Sequence, residues 1–177
     1  MQMVHDLGVD IVMLTETRLK PKHNFKIAGF DCYRNDRPVG IGGGVAILVR
    51  SDVKHHEVAM PDTECLEAVG VSVIINNSKV LLISAYYPKQ GGTFRKDVRK
   101  IISTGNRVIV AGDFNARHSM WKCDRANQNG NSLVDILEKR EVHVEFPDTH
   151  TFHRKGRSST LDIAICKNTP NILLKAL

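Results

Sequence analysis

Two apolar runs of strand length, 66–75 and 79–86, are separated only by Asn76-Asn77-Ser78. That spacing constrains the fold more than any other feature. So short a connection joins antiparallel neighbours, because parallel strands need a crossover of a dozen or more residues. Further strand-length runs lie at 10–15, 45–49, 107–111 and 161–166, with a shorter one at 31–34. Helical spacing is rarer. Phe94, Val98, Ile101 and Ile102 share one face of a helix over 93–103. Ser132-Leu133-Val134-Asp135 has the spacing of a capping box and predicts a helix from Ser132 to about Arg140. Met3, Val4 and Leu7 before Gly8 read as the end of another helix. Strands outnumber helices and one pair is a hairpin. The expected architecture is therefore an α/β two-sheet sandwich, not a purely parallel wound sheet.

The 177 residues suit one domain, with no repeat, low-complexity tract or Pro/Ser-rich linker. No apolar run nears the ~18 residues of a membrane span, and the first residues do not read as a secretory signal. With 25 basic and 19 acidic residues the net charge is +6, which mildly favours an anionic partner such as nucleic acid. Cys32, Cys65, Cys123 and Cys166 are scattered, without zinc spacing, and read as reduced thiols of an intracellular protein. Gly40, Gly42, Gly43 and Gly44 lack the Gly-Lys-Ser/Thr of a P-loop and read as close backbone packing or a bulge. The basic segment 95–100 reads as solvated helix surface. Trp121 fits either the core or a DNA-facing position.

The chemistry is expected at strand ends. Three strands close on polar groups that could not stay buried without partners: Thr15-Glu16-Thr17, Tyr86-Tyr87-Pro88 and Gly112-Asp113-Phe114-Asn115. A fourth strand begins at an acid, Asp162. Acids and amides along one rim make an oxygen-rich site that suits Mg²⁺ or Mn²⁺, not zinc. Of the adjacent tyrosines, Tyr86 is assigned to the site and Tyr87 to the opposite, core-facing side of the pleat. The loop His153-Arg154-Lys155-Gly156-Arg157 precedes the Asp162 strand at this rim, where its cations can meet phosphate.

These segments make the sequence similar to the endonuclease/exonuclease/phosphatase family, which includes deoxyribonuclease I and the apurinic endonucleases. It resembles most the endonuclease domains of jockey-like non-LTR (LINE-type) retrotransposons. The matching stretches are IVMLTETRL (11–19), GFDCYRND (29–36), GGGVAILV (42–49), SAYYP (84–88), VAGDFNAR (110–117), HSMW (118–121) and DTHTFHRKGRSSTLDIAI (148–165). They run in family order over nearly the whole chain.

The resemblance implies a deoxyribonuclease I-like sandwich, and a Mg²⁺- or Mn²⁺-dependent nuclease that nicks target DNA and leaves a 3′ hydroxyl to prime reverse transcription. It implies Glu16 as metal ligand, Asp113 orienting or deprotonating the attacking water, and Asn115 and Tyr86 facing the scissile phosphate. It implies Asp162 as the acid that orients a histidine and Thr151 as a phosphate-contacting hydroxyl; Arg154, Lys155 and Arg157 are expected DNA contacts from the basic loop's place at the rim. The expected partners are DNA, the element RNA and a reverse transcriptase of the same polyprotein, with no membrane and a nuclear location.

Two family features have no counterpart here: an asparagine on the first strand and the histidine of a closing Ser-Asp-His. No histidine follows Asp162. The chain is therefore expected to be a single domain, 1–177, truncated at both ends and lacking the first and last family strands. A catalytically inactive remnant that at most binds DNA is the alternative. A phosphomonoesterase or lipid phosphodiesterase on the same scaffold is a third reading, against which the basic loop and the jockey-like segments weigh.

Overall fold

The computed structural model describes residues 8–88, 93–138, 142–154 and 157–169. The expected helix end at 3–7 lies outside them. The long hairpin forms as its spacing requires. β5 (Glu67–Ile75) and β6 (Ser78–Tyr86) pair antiparallel from Glu67↔Tyr86 to Ile75↔Ser78. Asn76 and Asn77 make the turn at φ 48° and 59°, a conformation asparagine tolerates well. Around this pair a six-stranded sheet adds β4 (His55–Val58), β7 (Val108–Asp113), β8 (Val142–Glu145) and β11 (Asp162–Lys167). Its order is β4-β5-β6-β7-β11-β8. Every pairing in it is antiparallel except β6 with β7. That parallel pair is joined through helix α1 (Phe94–Ile102), which supplies the crossover such a connection needs.

A second, three-stranded antiparallel sheet, in the order β1-β3-β2, is built from β1 (Ile11–Thr15), β2 (Phe30–Asn35) and β3 (Val45–Arg50). β9 (Phe152–Arg154) and β10 (Arg157–Ser159) form a separate small hairpin.

The pleat divides the core. Val45, Ile47 and Val49 of β3 face Val69, Val71 and Val73 of β5 and Val80 and Leu82 of β6 between the two sheets. On the other face of the large sheet, Leu81, Ile83, Ala85 and Tyr87 meet Phe94, Val98, Ile101 and Ile102 of α1. Helix α2 (Gln128–Leu137) adds Leu133 and Ile136 to that layer.

Helix α2 corrects the sequence reading. It begins four residues before Ser132, which lies inside it. Asn127 is its cap, and the Asn127 side-chain oxygen accepts N–H groups from Gly130 and Arg117, each at 2.9 Å. Tying the cap to Arg117 in the preceding loop fixes the start where the local motif does not. β4 and β8 were not visible as apolar runs. His55-His56-Glu57-Val58 is an edge strand with two exposed residues, so patterning had little to report. Trp121 belongs to the core: it is fully buried, and its indole N–H donates to the Ala116 carbonyl at 3.1 Å.

Candidate active site

The ends of β1, β6 and β7 and the start of β11 meet at one rim. Gly112 makes this approach possible. A Cβ there would lie 1.9 Å from the Ala85 carbonyl oxygen of β6 and 2.8 Å from the Thr15 methyl of β1. Beyond Gly112 the chain turns. Asp113 Oδ1 accepts the Asn115 backbone N–H at 2.8 Å, an Asx turn. Asn115 sits at φ 46° and is only 7% exposed. Its side-chain amide donates to the Tyr87 carbonyl at 2.8 Å, and its own carbonyl accepts from Asn127 Nδ2 at 2.8 Å. The Tyr87 N–H in turn donates to the Asp113 carbonyl at 2.9 Å. Asp162 stands directly opposite Asp113 on the neighbouring strand.

Glu16 arrives differently. It follows the edge strand β1 at φ 50°, with Arg18 at φ 55°, so the chain bends twice through the left-handed region. The glycine loop holds these bends. Thr17 and Arg18 donate their N–H groups to the carbonyls of Gly44 and Gly43 at 3.1 and 2.9 Å. Gly44 in turn donates its N–H to Glu67 Oε2 at 2.6 Å. The other Glu67 oxygen is ion-paired to Arg37, whose guanidinium lies 5.6 Å from the Tyr86 ring centroid. The expectation of close packing is thus met at Gly43 and Gly44, where a Cβ would lie 2.3 Å from the Arg37 side chain and 2.5 Å from Thr17 Oγ1, but not at Gly40 and Gly42, whose surroundings are open.

Tyr86 joins the two sides. Its phenol is pushed above the ordinary tyrosine range, first by burial, then by a hydrogen bond with Glu16 and by the charges of Glu16 and Asp113, which the Arg37 cation partly offsets. One hydroxyl therefore feels carboxylates from both sides of the rim and stays protonated through the neutral range. Tyr87 points the other way, fully buried and edge-on to Phe94 with ring centroids 4.9 Å apart.

Glu16, Tyr86, Asp113, Asn115 and Asp162 thus share one rim. Thr151 is tied to it through its hydroxyl oxygen, which accepts the N–H groups of Leu161 and Asp162 at 3.0 and 3.2 Å. Arg154 and Arg157 are paired across the β9–β10 hairpin. Lys155 lies outside the described residues, as do the side chains of Arg154 and Arg157. Sequence reasoning missed Arg37 and Glu67. Glu67 opens an apolar strand just as Asp162 does, and the same rule applied evenly would have found it. The described histidines near the rim are engaged locally. His118 Nδ1 accepts the Met120 N–H at 3.2 Å, and His153 Nδ1 bonds the Ser158 hydroxyl at 2.8 Å.

The family model described as endonuclease-reverse transcriptase matches residues 80–175, more than half of the chain and most of the rim. The chain belongs to the endonuclease/exonuclease/phosphatase family. Within this family it is similar to proteins of non-LTR elements. It is 27% identical over 176 residues, 96% of its length, to a probable RNA-directed DNA polymerase from transposon BS of Drosophila melanogaster. It is 23% identical over 148 residues, 82% of its length, to the RNA-directed DNA polymerase from mobile element jockey of Drosophila funebris. These alignments cover only 19% and 16% of those relatives, so the chain spans a fifth or less of the curated proteins it matches.

Among solved structures, the endonuclease domain of TRAS1, a telomere-specific non-LTR retrotransposon, superposes with a TM-score of 0.75 at 19% identity. The match covers 94% of this chain and 77% of that one. An AP endonuclease from Archaeoglobus fulgidus gives 0.60 at 15% identity, covering 94% and 79%. Both likenesses bear on fold: this family member has the α/β, two-sheet architecture of the deoxyribonuclease I-like nucleases. No helix among the described residues is long and apolar enough to cross a membrane.

Proposed function

We propose that this chain is the DNA-nicking domain of a non-LTR retrotransposon polyprotein. It would hydrolyse one phosphodiester of nuclear target DNA to leave a 3′ hydroxyl, which a reverse transcriptase of the same polyprotein extends along the element RNA. The observation that carries this reading is the gathering of Glu16, Tyr86, Asp113, Asn115 and Asp162 at one rim of a family sandwich.

The donor set fits a hard divalent cation. Glu16 is a carboxylate with its side chain 44% exposed, beside the neutral Tyr86 phenol and 3.8 Å from the Arg18 guanidinium. Among the described residues no three of His, Cys, Asp and Glu gather around one point. Glu16 would therefore hold Mg²⁺ or Mn²⁺ with water completing the shell, the usual habit of Mg²⁺. When bound, the cation supplies charge neutralisation for the phosphorane-like transition state and the departing oxygen.

The protein groups do the rest. Asp113, held by the Asx turn, orients or deprotonates the attacking water. Asn115 has one amide proton committed to Tyr87 and presents the other to a phosphate oxygen. Tyr86 faces the phosphate as a neutral phenol. Asp162, opposite Asp113, orients the general base where one is supplied. Thr151, Arg154, Lys155 and Arg157 take the flanking phosphates, an electrostatic contribution that salt weakens.

The alternative is a remnant that binds DNA without cutting it. Mg²⁺-dependent nicking of supercoiled plasmid tests the choice, using this chain and a version extended at both ends from a related element. Nicking lowered about 10²–10⁴-fold by Asp113→Ala, the scale of lost proton transfer, supports the endonuclease. DNA retention without nicking in both proteins supports the remnant. Glu16→Gln should weaken Mn²⁺ binding by calorimetry, and unchanged affinity would remove Glu16 from the site.

A further inference from the structure

Asn115 is held in place from outside its own loop. It lies nearly buried at φ 46°, and a buried carbonyl left without a donor is costly. Helix α2 supplies two donors. Asn127 Nδ2 donates to the Asn115 carbonyl at 2.8 Å, and Asn129 Nδ2 reaches the Asn115 and Phe114 carbonyls at 3.4 Å each. Asn127 holds the rest of the loop as well. Its side-chain oxygen accepts the Arg117 N–H at 2.9 Å, and its backbone N–H donates to the Arg117 carbonyl at 3.0 Å. Helix end and loop are in direct contact, because a Cβ on Gly130 would lie 1.9 Å from the Arg117 carbonyl oxygen. Glycine inside a helix is unfavourable relative to alanine, and here its missing side chain is what lets the two meet.

Capping alone does not call for asparagine. The cap uses only the side-chain oxygen, which accepts the Gly130 N–H, and serine or aspartate does this equally well. The donor end of the Asn127 amide is spent on Asn115. Aspartate has no such donor, and a serine hydroxyl stops one atom short of it. We propose that Asn127 is a positioning residue for phosphodiester cleavage. Its side-chain N–H, seconded by that of Asn129, fixes the Asn115 carbonyl and with it the left-handed turn that presents the Asn115 amide to the scissile phosphate. The inference rests on the reading that this rim cuts DNA and that Asn115 meets the phosphate. One Asn115 amide proton is committed to the Tyr87 carbonyl, so the backbone turn sets the direction of the other. Misplacing a reacting contact by about 1 Å costs up to about 10²-fold in rate. Glu16 and the β9–β10 hairpin are carried by other elements, so binding of metal and DNA in the ground state should not change.

The test is Mg²⁺-dependent nicking of supercoiled plasmid, with kcat and KM measured separately and Mn²⁺ affinity followed by calorimetry. Asn127→Ser and Asn127→Asp each keep a cap and lose the donor. Both should lower kcat about 10- to 100-fold, with KM and Mn²⁺ affinity within about twofold of the parent. Asn131→Gly weakens α2 at an exposed position away from the loop and should leave kcat within about twofold. Asn115→Gly removes the phosphate-facing amide where the left-handed φ suits glycine. In that background Asn127→Ser should lower kcat less than about threefold further, since a residue acting through Asn115 has nothing left to position. An unchanged kcat in both Asn127 variants overturns the inference. So does an undiminished loss in the Asn115→Gly background, or an equal loss in Asn131→Gly, because Asn127 would then only support the helix. In these three cases the nuclease reading stands. A parent protein that does not nick overturns both readings together.

Discussion

The two sides of the rim are built by opposite means. Asp113 and Asn115 end a strand in the middle of the six-stranded sheet, and Asn115 is nearly buried, with side chain and backbone both committed to hydrogen bonds. Glu16 follows an edge strand of the small sheet in a left-handed turn, held by the glycine loop, which Glu67 of the other sheet fastens through Gly44 and Arg37. The first side is fixed by the core and the second by a strut. Damage to the core should therefore cost stability, whereas damage to the strut should cost binding at Glu16 and leave the fold standing.

The harshest way to break this contrast is Gly112→Ala. The new Cβ would meet backbone oxygen of β6 at 1.9 Å, and backbone cannot swing aside as a flexible side chain can. Strain of this kind, together with φ 148° at that residue, should cost about 3 kcal/mol or more in urea unfolding. Gly42→Ala makes the same chemical change on the Glu16 side. Nothing lies within 4 Å of its Cβ, so only the φ of 75° is penalised and the loss should be about 1 kcal/mol. Equal losses would mean that the two sides are not built differently.

Glu67→Gln probes the strut directly. It keeps the shape but removes the charge that receives the Gly44 N–H and pairs with Arg37. Because the pair is partly exposed, the stability loss should stay near 1–2 kcal/mol. Mn²⁺ affinity should fall about tenfold, as it does when a group that orients a metal ligand is lost. A stability loss with unchanged affinity would show that Glu16 needs no support from this quarter.

The same contrast explains what the sequence made legible. Apolar runs ending in GDFN and beginning at Asp162 announce the Asp113 side, because strand and site are contiguous in the chain. Tyr86 and Tyr87 were separable by pleat alone. The support of Glu16 was hidden, because Arg37 and Gly44 of the β2–β3 loop meet Glu67 of β5 only where the two sheets pack together. The start of helix α2 was missed for a related reason. Its cap, Asn127, takes one of its partners from Arg117 in the loop before it, and no local motif records that contact.

The smallest expected effect concerns the residue that joins the two sides. Burial and the Glu16 and Asp113 carboxylates raise the Tyr86 phenol above its ordinary value of about 10. The folded protein therefore holds that proton more tightly than the unfolded chain does. By linkage, the stability this contributes is fully present below about pH 10 and is lost as pH rises through the folded-state value. Tyr86→Phe removes the titration, so its stability should fall less steeply with alkali than that of the parent chain. Cys166, also raised by burial, to about 11, keeps part of the alkaline slope in both proteins. Urea midpoints measured from pH 8 upward check this. Parallel curves would mean that Glu16 and Asp113 do not meet at this hydroxyl and that the two sides of the rim are electrostatically separate.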